Sequence, residues 1–169
     1  NHSKTSIMKI DIFKIALILI SILPITRISA QDGNSDNWPQ WRGPNNTGAA
    51  LKGNPPVEFS ETKNLKWKLP IPGKGHATPI VWGDKIIVLT AVPKELQHVD
   101  IEEWRASTST DLVLDYKVLL VNLNDGKIIW EKTVTSEKPE ENTHKLGSWA
   151  SNSPCTDGER IYAYFGSRG

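Results

Sequence analysis

Residues 116–134 read YKVLLVNLNDGKIIWEKTV, two apolar stretches separated by the turn sequence Asn124-Asp125-Gly126. Short runs rich in Val, Ile and aromatic residues favour strands, and Asp-Gly tolerates the positive φ that a tight turn requires. The stretch therefore predicts an antiparallel hairpin. We expect Trp130, near the start of its second strand, to be mostly buried among apolar neighbours.

A repeated pattern lies on both sides of this hairpin. Residues 78–88 (TPIVWGDKIIV) align with residues 153–163 (SPCTDGERIYA) at a constant offset, 153 − 78 = 75. Each copy reads as a short strand after Ser/Thr-Pro, a turn with Gly and an acidic residue, and a second apolar strand. We therefore expect residues 79–90 and 116–134 to form one four-stranded antiparallel sheet.

Self-similar four-stranded units are typical of β-propeller blades, which take roughly 40–50 residues each. The sequence thus predicts an all-β fold, a β-propeller of four-stranded antiparallel blades with only the first one to two blades present. A β-sandwich is the alternative, because it also has short, regularly spaced strands. The constant register of the repeat favours the propeller. Since a propeller needs about 160 residues or more, we expect this sequence to be the N-terminal part of a longer protein.

The rest of the chain divides around these units. We assign a signal peptide (1–30), an N-terminal extended segment (31–64) and a partial propeller (65–169), which comprises a closing strand (65–70), blade one (78–135) and the start of blade two (152–169). Residues 91–115 and 137–149 are polar insertions. Within the first, we interpret residues 102–105 (EEWR) as a solvated turn of helix rather than a patch that contacts a partner.

The first thirty residues have the pattern of a secretory signal. Basic residues lead into the apolar run Ile15–Leu23, Pro24 ends it, and small residues follow up to Ala30. This order predicts a signal peptide that starts at Met8 and is cleaved near Ala30. A membrane span needs roughly 20 apolar residues, so we expect no stable span after cleavage. The predicted location is secreted or periplasmic.

Charge and cysteine content exclude several classes of function. The chain has 20 basic and 19 acidic residues, and residues 1–30 contain four of the bases but one of the acids. The remainder therefore lacks the basic excess that nucleic-acid binding requires, and no nucleic-acid partner is expected. Cys155 is the single cysteine, which excludes an internal disulfide and a zinc site built on cysteine pairs.

Several motifs together resemble one family. Residues 121–130 (VNLNDGKIIW) resemble the repeat signature of pyrroloquinoline-quinone-like (quinoprotein-type) β-propellers, in which a Trp follows the Gly-Lys turn. Residues 37–44 (NWPQWRGP) look like the opening of secreted members, and residues 153–158 and 164–169 are also similar. Asn122 stands where the family usually has Asp. The resemblance covers residues 36–169 and implies that Trp67 and Trp130 pack blades together rather than stack on a ligand.

The family includes quinone-dependent dehydrogenases, which hold pyrroloquinoline quinone through a calcium ion. Calcium needs several converging oxygen ligands, and the spacing of Asn122, Asn124 and Asp125 falls short of a calcium loop. The well-known members also have an adjacent cysteine pair, whereas Cys155 stands alone. We therefore predict no catalytic residue, no metal ligand and no cofactor in this segment, and the quinone and calcium are implied by the resemblance only.

Two segments, residues 73–77 and 144–152, lead into the first strand of a repeat. In a propeller the innermost strand borders the central channel, so His76, His144, Ser148 and Asn152 are candidates for a binding site at the channel mouth. The alternative is that they are surface loop residues with local hydrogen bonds.

Three functions are compatible with these features. The leading hypothesis is a secreted or periplasmic binding or scaffold module that presents loops to a protein, an envelope component or a glycan. The alternatives that the resemblance implies are a quinone-dependent alcohol or sugar dehydrogenase and an outer-membrane protein assembly factor. The family's assembly factor is a lipoprotein, and no cysteine stands directly after the apolar run here, which counts against this alternative.

Overall fold

The computed structural model describes residues 36–50 and 52–168, whose regular secondary structure is mostly strand with little helix. Their elements are the strands β1 (Ile80–Trp82), β2 (Lys85–Pro93), β3 (Leu114–Asn122), β4 (Ile128–Glu137), β5 (Cys155–Thr156) and β6 (Ile161–Tyr162), the helix α1 (Ile101–Ala106), and single 3-10 turns at Leu96–His98 and Gly166–Arg168. The all-β prediction is confirmed. The signal peptide predicted over residues 1–30 lies outside the described residues.

Strands β1 to β4 form one antiparallel sheet in the order β1-β2-β3-β4. Ile87 of β2 pairs with Ile80 of β1 and with Leu120 of β3, so β2 and β3 are the central strands. The predicted four-stranded sheet is therefore confirmed. Its last hairpin closes as expected, because Gly126 adopts φ +72° and its N–H donates to the carbonyl of Asn122 at 2.9 Å.

The core lies on the two central strands. Leu89, Leu114, Tyr116 and Leu119 are at most 1% exposed. Burial of each such side chain contributes roughly 1.5–3 kcal/mol. Both strands alternate in burial at first and are then buried at consecutive positions, Leu89–Pro93 in β2 and Val118–Val121 in β3. Because Leu89 pairs with Val118 in antiparallel register, these two stretches extend towards opposite ends of the sheet.

Strand β4 is the exposed edge of this sheet. Trp130 is 38% exposed, and Ile128, Ile129 and Val134 are exposed beside it. The prediction that Trp130 is mostly buried is wrong, because no element within the described ranges covers β4. Two register shifts interrupt its pairing with β3, and such bulges are a device by which edge strands resist pairing with other chains.

Trp67 does pack, although residues 65–70 do not form a strand. Its ring covers the β3–β4 turn so closely that a Cβ on Gly126 would lie 2.6 Å from it. The indole Nε1 donates to the carbonyl of Leu123 at 2.9 Å. The contact joins the N-terminal part of the chain to the sheet, while the closing strand stays a prediction.

The first polar insertion is shorter and better packed than predicted, since β2 extends to Pro93 and β3 begins at Leu114. Helix α1 begins after Asp100, whose carboxylate accepts the backbone N–H groups of Glu102 and Glu103 at 3.0 and 3.1 Å. The interpretation of this segment as a solvated turn is wrong for one residue. Trp104 is 5% exposed and belongs to the core.

The second repeat begins as a two-stranded hairpin, β5–β6. The ring of Trp82, at the end of β1, covers its turn, and a Cβ on Gly158 would lie 2.4 Å from that ring. The segment around Trp38 and Pro39, which precedes the first repeat, contacts both the β1–β2 hairpin and the β5–β6 hairpin. Trp38 forms a bridge with Val81, and the carbonyl of Pro39 accepts the N–H of Thr156 at 3.0 Å.

Asp157 caps the β5–β6 turn with its carboxylate. The oxygens accept the N–H of Arg160 at 2.7 Å, the hydroxyl of Tyr162 at 2.8 Å and the N–H of Glu159 at 2.9 Å. These hydrogen bonds, with that from Arg160 the strongest, lower its pKa from 3.8 to about 2. All three donors favour the charged form of the carboxyl group.

We expect this cap to make the hairpin sensitive to acid. Because the folded pKa lies below the unfolded value, the carboxylate stabilises the hairpin above the unfolded pKa of 3.8, and this contribution is lost as the pH falls towards about 2. A carbon-13 NMR titration of the Asp157 carboxyl should have its midpoint near 2. In Asp157→Asn the acid-induced change at Tyr162 should disappear. A midpoint near the unfolded value would contradict the assignment.

Helices are few and short in the described ranges. The longest, α1, has six residues, and a bilayer-spanning helix needs roughly 20. None of these helices could therefore cross a membrane.

Candidate functional site

A cleft of about 300 Å³ opens beside the segment that joins the two repeats. We call this segment, residues 138–152, the inter-repeat loop, and the cavity the loop cleft. The cleft is lined by residues from 139–152 of this loop, by Tyr116 of β3 and by residues 165–167. His144, Ser148 and Asn152, predicted to face a channel mouth, all line it.

Hydrogen bonds to the first repeat hold the end of the inter-repeat loop. The carbonyl of Ala150 accepts the N–H groups of His76 and Ala77 at 3.1 and 3.0 Å. Further back, the N–H of Thr143 donates to the carbonyl of Thr108 at 2.7 Å, which ties the loop to the first insertion. The loop is therefore fixed at two places, and its backbone has little freedom to close the cleft.

Ser148 is the centre of a local hydrogen-bond network and is 8% exposed. Its Oγ accepts the N–H of His76 at 3.0 Å and that of Ala150 at 3.3 Å. The Oγ of Ser151 lies 3.1 Å away and itself accepts the N–H of Ser148 at 2.9 Å. Because the hydrogen-bonding capacity of its hydroxyl is used within the protein, Ser148 positions the loop and is not free to hold a ligand.

We expect Ser148→Ala to lower the free energy of unfolding by about 1–3 kcal/mol, the usual cost of leaving a buried donor without its acceptor. The N–H of Ala150 would lose the hydroxyl that it contacts at 3.3 Å. Urea unfolding followed by circular dichroism measures the change. Ser167→Ala, at an exposed serine, is the matched control and should change stability by less than about 0.5 kcal/mol. Equal effects in the two variants would contradict the role of Ser148.

Other polar groups that line the cleft are uncommitted. Among the described residues, the side chains of Asn142, Asn152 and Ser167 contact no hydrogen-bond partner, while His144 Nδ1 accepts the N–H of Leu146 at 3.1 Å. Since Nδ1 accepts, the proton of the neutral imidazole lies on Nε2. His144 therefore offers a donor at Nε2, beside two amides and a hydroxyl.

Aromatic residues form the apolar part of the cleft. The rings of Tyr116 and Phe165 meet edge to face with centroids 5.4 Å apart. Burial raises the pKa of Tyr116, an effect that the nearby Arg168 guanidinium partly offsets. Arg168 does not line the cleft, and its Nη1 pairs with Glu137 at 2.8 Å and Glu140 at 2.9 Å.

Trp149 lines the cleft and is anchored from behind. Its ring stacks on that of Trp104 with centroids 5.7 Å apart and planes at 26°. Its Nε1 donates to the carbonyl of Glu141 at 3.0 Å. The two polar insertions, predicted as separate loops, thus pack on each other through this pair, and Trp104 supports from behind the wall that Trp149 contributes to the cleft.

The residues that line the cleft do not fit the calcium ion through which, as the family resemblance implies, a quinone would be held. Calcium takes about 6–8 oxygen ligands, whereas Glu141 is the one carboxylate that lines the cleft. No group of three His, Cys, Asp or Glu residues that could hold a metal occurs in the described part of the chain. Cys155, on β5, is exposed.

The structure places the fourth candidate, His76, next to the cleft rather than in it. His76 is exposed, and it contacts the site through its backbone N–H. Sequence reasoning missed Asn142, Ser167 and Tyr116, which line the cleft from three different segments. No local pattern distinguishes Asn142 in the polar stretch 137–145 (EKPEENTHK), so only its position in the fold identifies it.

No family model, curated protein or solved structure matches this chain. The functional assignment therefore rests on the repeat, its contacts and the loop cleft.

Proposed function

We propose that this chain is a secreted or periplasmic β-propeller repeat protein that acts as a binding or scaffold module. One observation carries the proposal. Thr78 and Ser153 occupy equivalent positions in the two repeats, and the N–H of Thr78 donates to Ser153 Oγ at 2.9 Å. The repeated sequences therefore lie side by side at the start of their first strands.

This contact is expected between neighbouring blades of a propeller. Blades are related by rotation about a central axis, so equivalent residues of adjacent blades approach each other where the innermost strands begin. Trp82 on the turn at Gly158 gives a second contact from the first repeat to the next. In a β-sandwich two sheets pack face to face, which gives no reason for equivalent positions to meet in this way.

The loop cleft supports a binding role. It is built from connecting segments, which are held by a rigid sheet, and loops on rigid scaffolds are where binding residues concentrate. Its uncommitted groups are two amides, a hydroxyl and an imidazole N–H, which suit hydrogen bonding to a ligand. The predicted signal peptide supports the part of the proposal that concerns export of this module to the cell envelope or beyond it.

The proposal is tested on the complete gene product, expressed in a bacterial host with its own N-terminus. We expect the protein in the periplasmic or extracellular fraction, with a mature N-terminus near Gln31 by mass spectrometry. Dye reduction with alcohols and aldoses should be absent after addition of pyrroloquinoline quinone and calcium. Cytoplasmic retention, or quinone-dependent dye reduction, would overturn the proposal.

A further inference from the structure

The loop cleft has the features of a site for an uncharged, hydroxyl-rich ligand. We propose that it binds a neutral carbohydrate of one or two rings, with Asn142, His144 and Asn152 as the residues that contact it. The inference rests on the proposed binding function and names the class of ligand. It is carried by the hydrogen-bonding groups, the size and the charge of the cleft.

The uncommitted polar groups match the hydroxyls of a sugar. The amides of Asn142 and Asn152 each provide a donor and an acceptor, and the hydroxyl of Ser167 provides both in one atom. His144 adds a donor at Nε2, since its Nδ1 accepts the N–H of Leu146 at 3.1 Å. A sugar hydroxyl also donates and accepts, so it can bond to such groups without leaving one of them unpaired.

The size and charge of the loop cleft narrow the class of ligand further. At about 300 Å³, the cleft is at the small end of ligand sites, which span roughly 300–1,000 Å³. No Lys or Arg lines it, and Glu141 is its one carboxylate. A phosphate or carboxylate ligand would therefore find no cation to pair with. The aromatic residues Tyr116, Trp149 and Phe165 line the cleft but are at most 8% exposed, so contact with a ligand falls mainly to the polar groups around them.

A peptide is the other ligand that amide side chains could recognise, and the cleft lacks what an extended peptide needs. Peptides commonly add to a sheet as an extra strand at a free edge. The strand that contributes to the cleft is β3, through Tyr116, and β3 is paired with β2 on one side and β4 on the other. The cleft therefore favours a compact ligand over an extended one.

The inference is tested on the exported gene product with maltose, cellobiose and N,N′-diacetylchitobiose as probes. Saturation-transfer NMR detects binding, and titration of Trp fluorescence gives its strength, because Trp149 lines the cleft. We expect at least one probe to bind, and Asn142→Ala and Asn152→Ala each to weaken it about tenfold, as loss of one good hydrogen bond does. Asn54→Ala, at an exposed amide outside the cleft, should bind as the wild type does.

Other outcomes separate this inference from the proposed function. An exported, non-enzymatic protein that binds none of the three sugars would overturn the carbohydrate assignment alone. So would sugar binding that Asn142→Ala and Asn152→Ala leave unchanged, or tighter binding of digalacturonate or pentaalanine in parallel titrations. Sugar binding lost in the two cleft variants of a protein retained in the cytoplasm would support the site and overturn the proposed export.

Discussion

Trp104→Ala is expected to lower the free energy of unfolding by about 3–5 kcal/mol, the range for truncation of a buried aromatic residue. Trp104 is 5% exposed and stacks on Trp149 with ring centroids 5.7 Å apart. Its removal leaves a cavity between the two insertions and uncovers the ring that forms a wall of the loop cleft. Urea unfolding followed by far-UV circular dichroism measures the loss independently of Trp fluorescence.

Two further variants isolate the stack. In a double-mutant cycle with Trp149→Ala, the coupling energy should be about 0.5–1.5 kcal/mol, as for aromatic pairs in general. Trp41→Ala is the matched control, since Trp41 is 64% exposed and its truncation should cost less than about 0.5 kcal/mol. Additive effects of the two core substitutions would show that the rings do not stabilise each other.

Trp104→Phe separates packing from hydrogen bonding. The Nε1 of Trp104 is buried without a partner among the described residues, and a buried unpaired donor costs about 1–3 kcal/mol. Phenylalanine keeps much of the stacked ring and removes this donor. Trp104→Phe should therefore lower the free energy of unfolding by much less than Trp104→Ala does. A loss equal to that of Trp104→Ala would indicate that the indole N–H has a partner in solution.

Local sequence was sufficient to predict the sheet. The turn at Asp125-Gly126 and the apolar runs beside it encode the β3–β4 hairpin through short-range geometry alone. The repeat at residues 78–88 and 153–163 likewise placed the first strands of both units. Turn residues and apolar runs lie within a few residues of the strands that they determine, so these strands can be predicted without knowledge of long-range contacts.

Burial was less predictable, because it depends on residues far away in sequence. The segment 102–105 looks solvated, yet Trp104 is buried by Trp149 from the other insertion. Trp130 has apolar neighbours in sequence, yet it lies on an edge strand that nothing described covers. For the candidate site, the repeat register indicated His144, Ser148 and Asn152, whereas Tyr116 could be assigned to the cleft only from the packed sheet.

Gly73→Ala is expected to lower the free energy of unfolding by about 2–5 kcal/mol. A Cβ at this position would lie 2.1 Å from the carbonyl oxygen of Ala91, and the backbone has φ +76°. The left-handed conformation costs an L-residue about 1–2 kcal/mol, and overpacking adds about 1–3 kcal/mol. The measurement is urea unfolding together with amide hydrogen exchange at Ala91, whose N–H donates to the carbonyl of Lys74 at 3.2 Å.

Two other glycines separate the causes. Gly83→Ala, at φ +59° with open space around its Cβ, should show the backbone cost alone, about 1–2 kcal/mol. Gly75→Ala meets the carbonyl oxygen of Leu89 at 2.3 Å without a positive φ, and should show the contact cost alone, about 1–3 kcal/mol. Gly73→Ala combines both and should be the most damaging of the three. A smaller loss of stability than in Gly83→Ala would mean that the segment 73–77 moves away from Ala91 without cost.

Gly73→Ala should also affect the loop cleft. The carbonyl of Gly73 accepts a hydrogen bond from Arg105 Nε at 3.0 Å. The N–H groups of His76 and Ala77, a few residues further on, donate to the carbonyl of Ala150 at 3.1 and 3.0 Å. If the segment at 73–77 is pushed off β2, both α1 and the inter-repeat loop lose a fixed point. We therefore expect Gly73→Ala to weaken sugar binding as well as stability, whereas Gly83→Ala, in a turn that does not line the cleft, should leave binding unchanged. Unchanged binding in a destabilised Gly73→Ala protein would show that the cleft keeps its shape when the segment 73–77 is displaced.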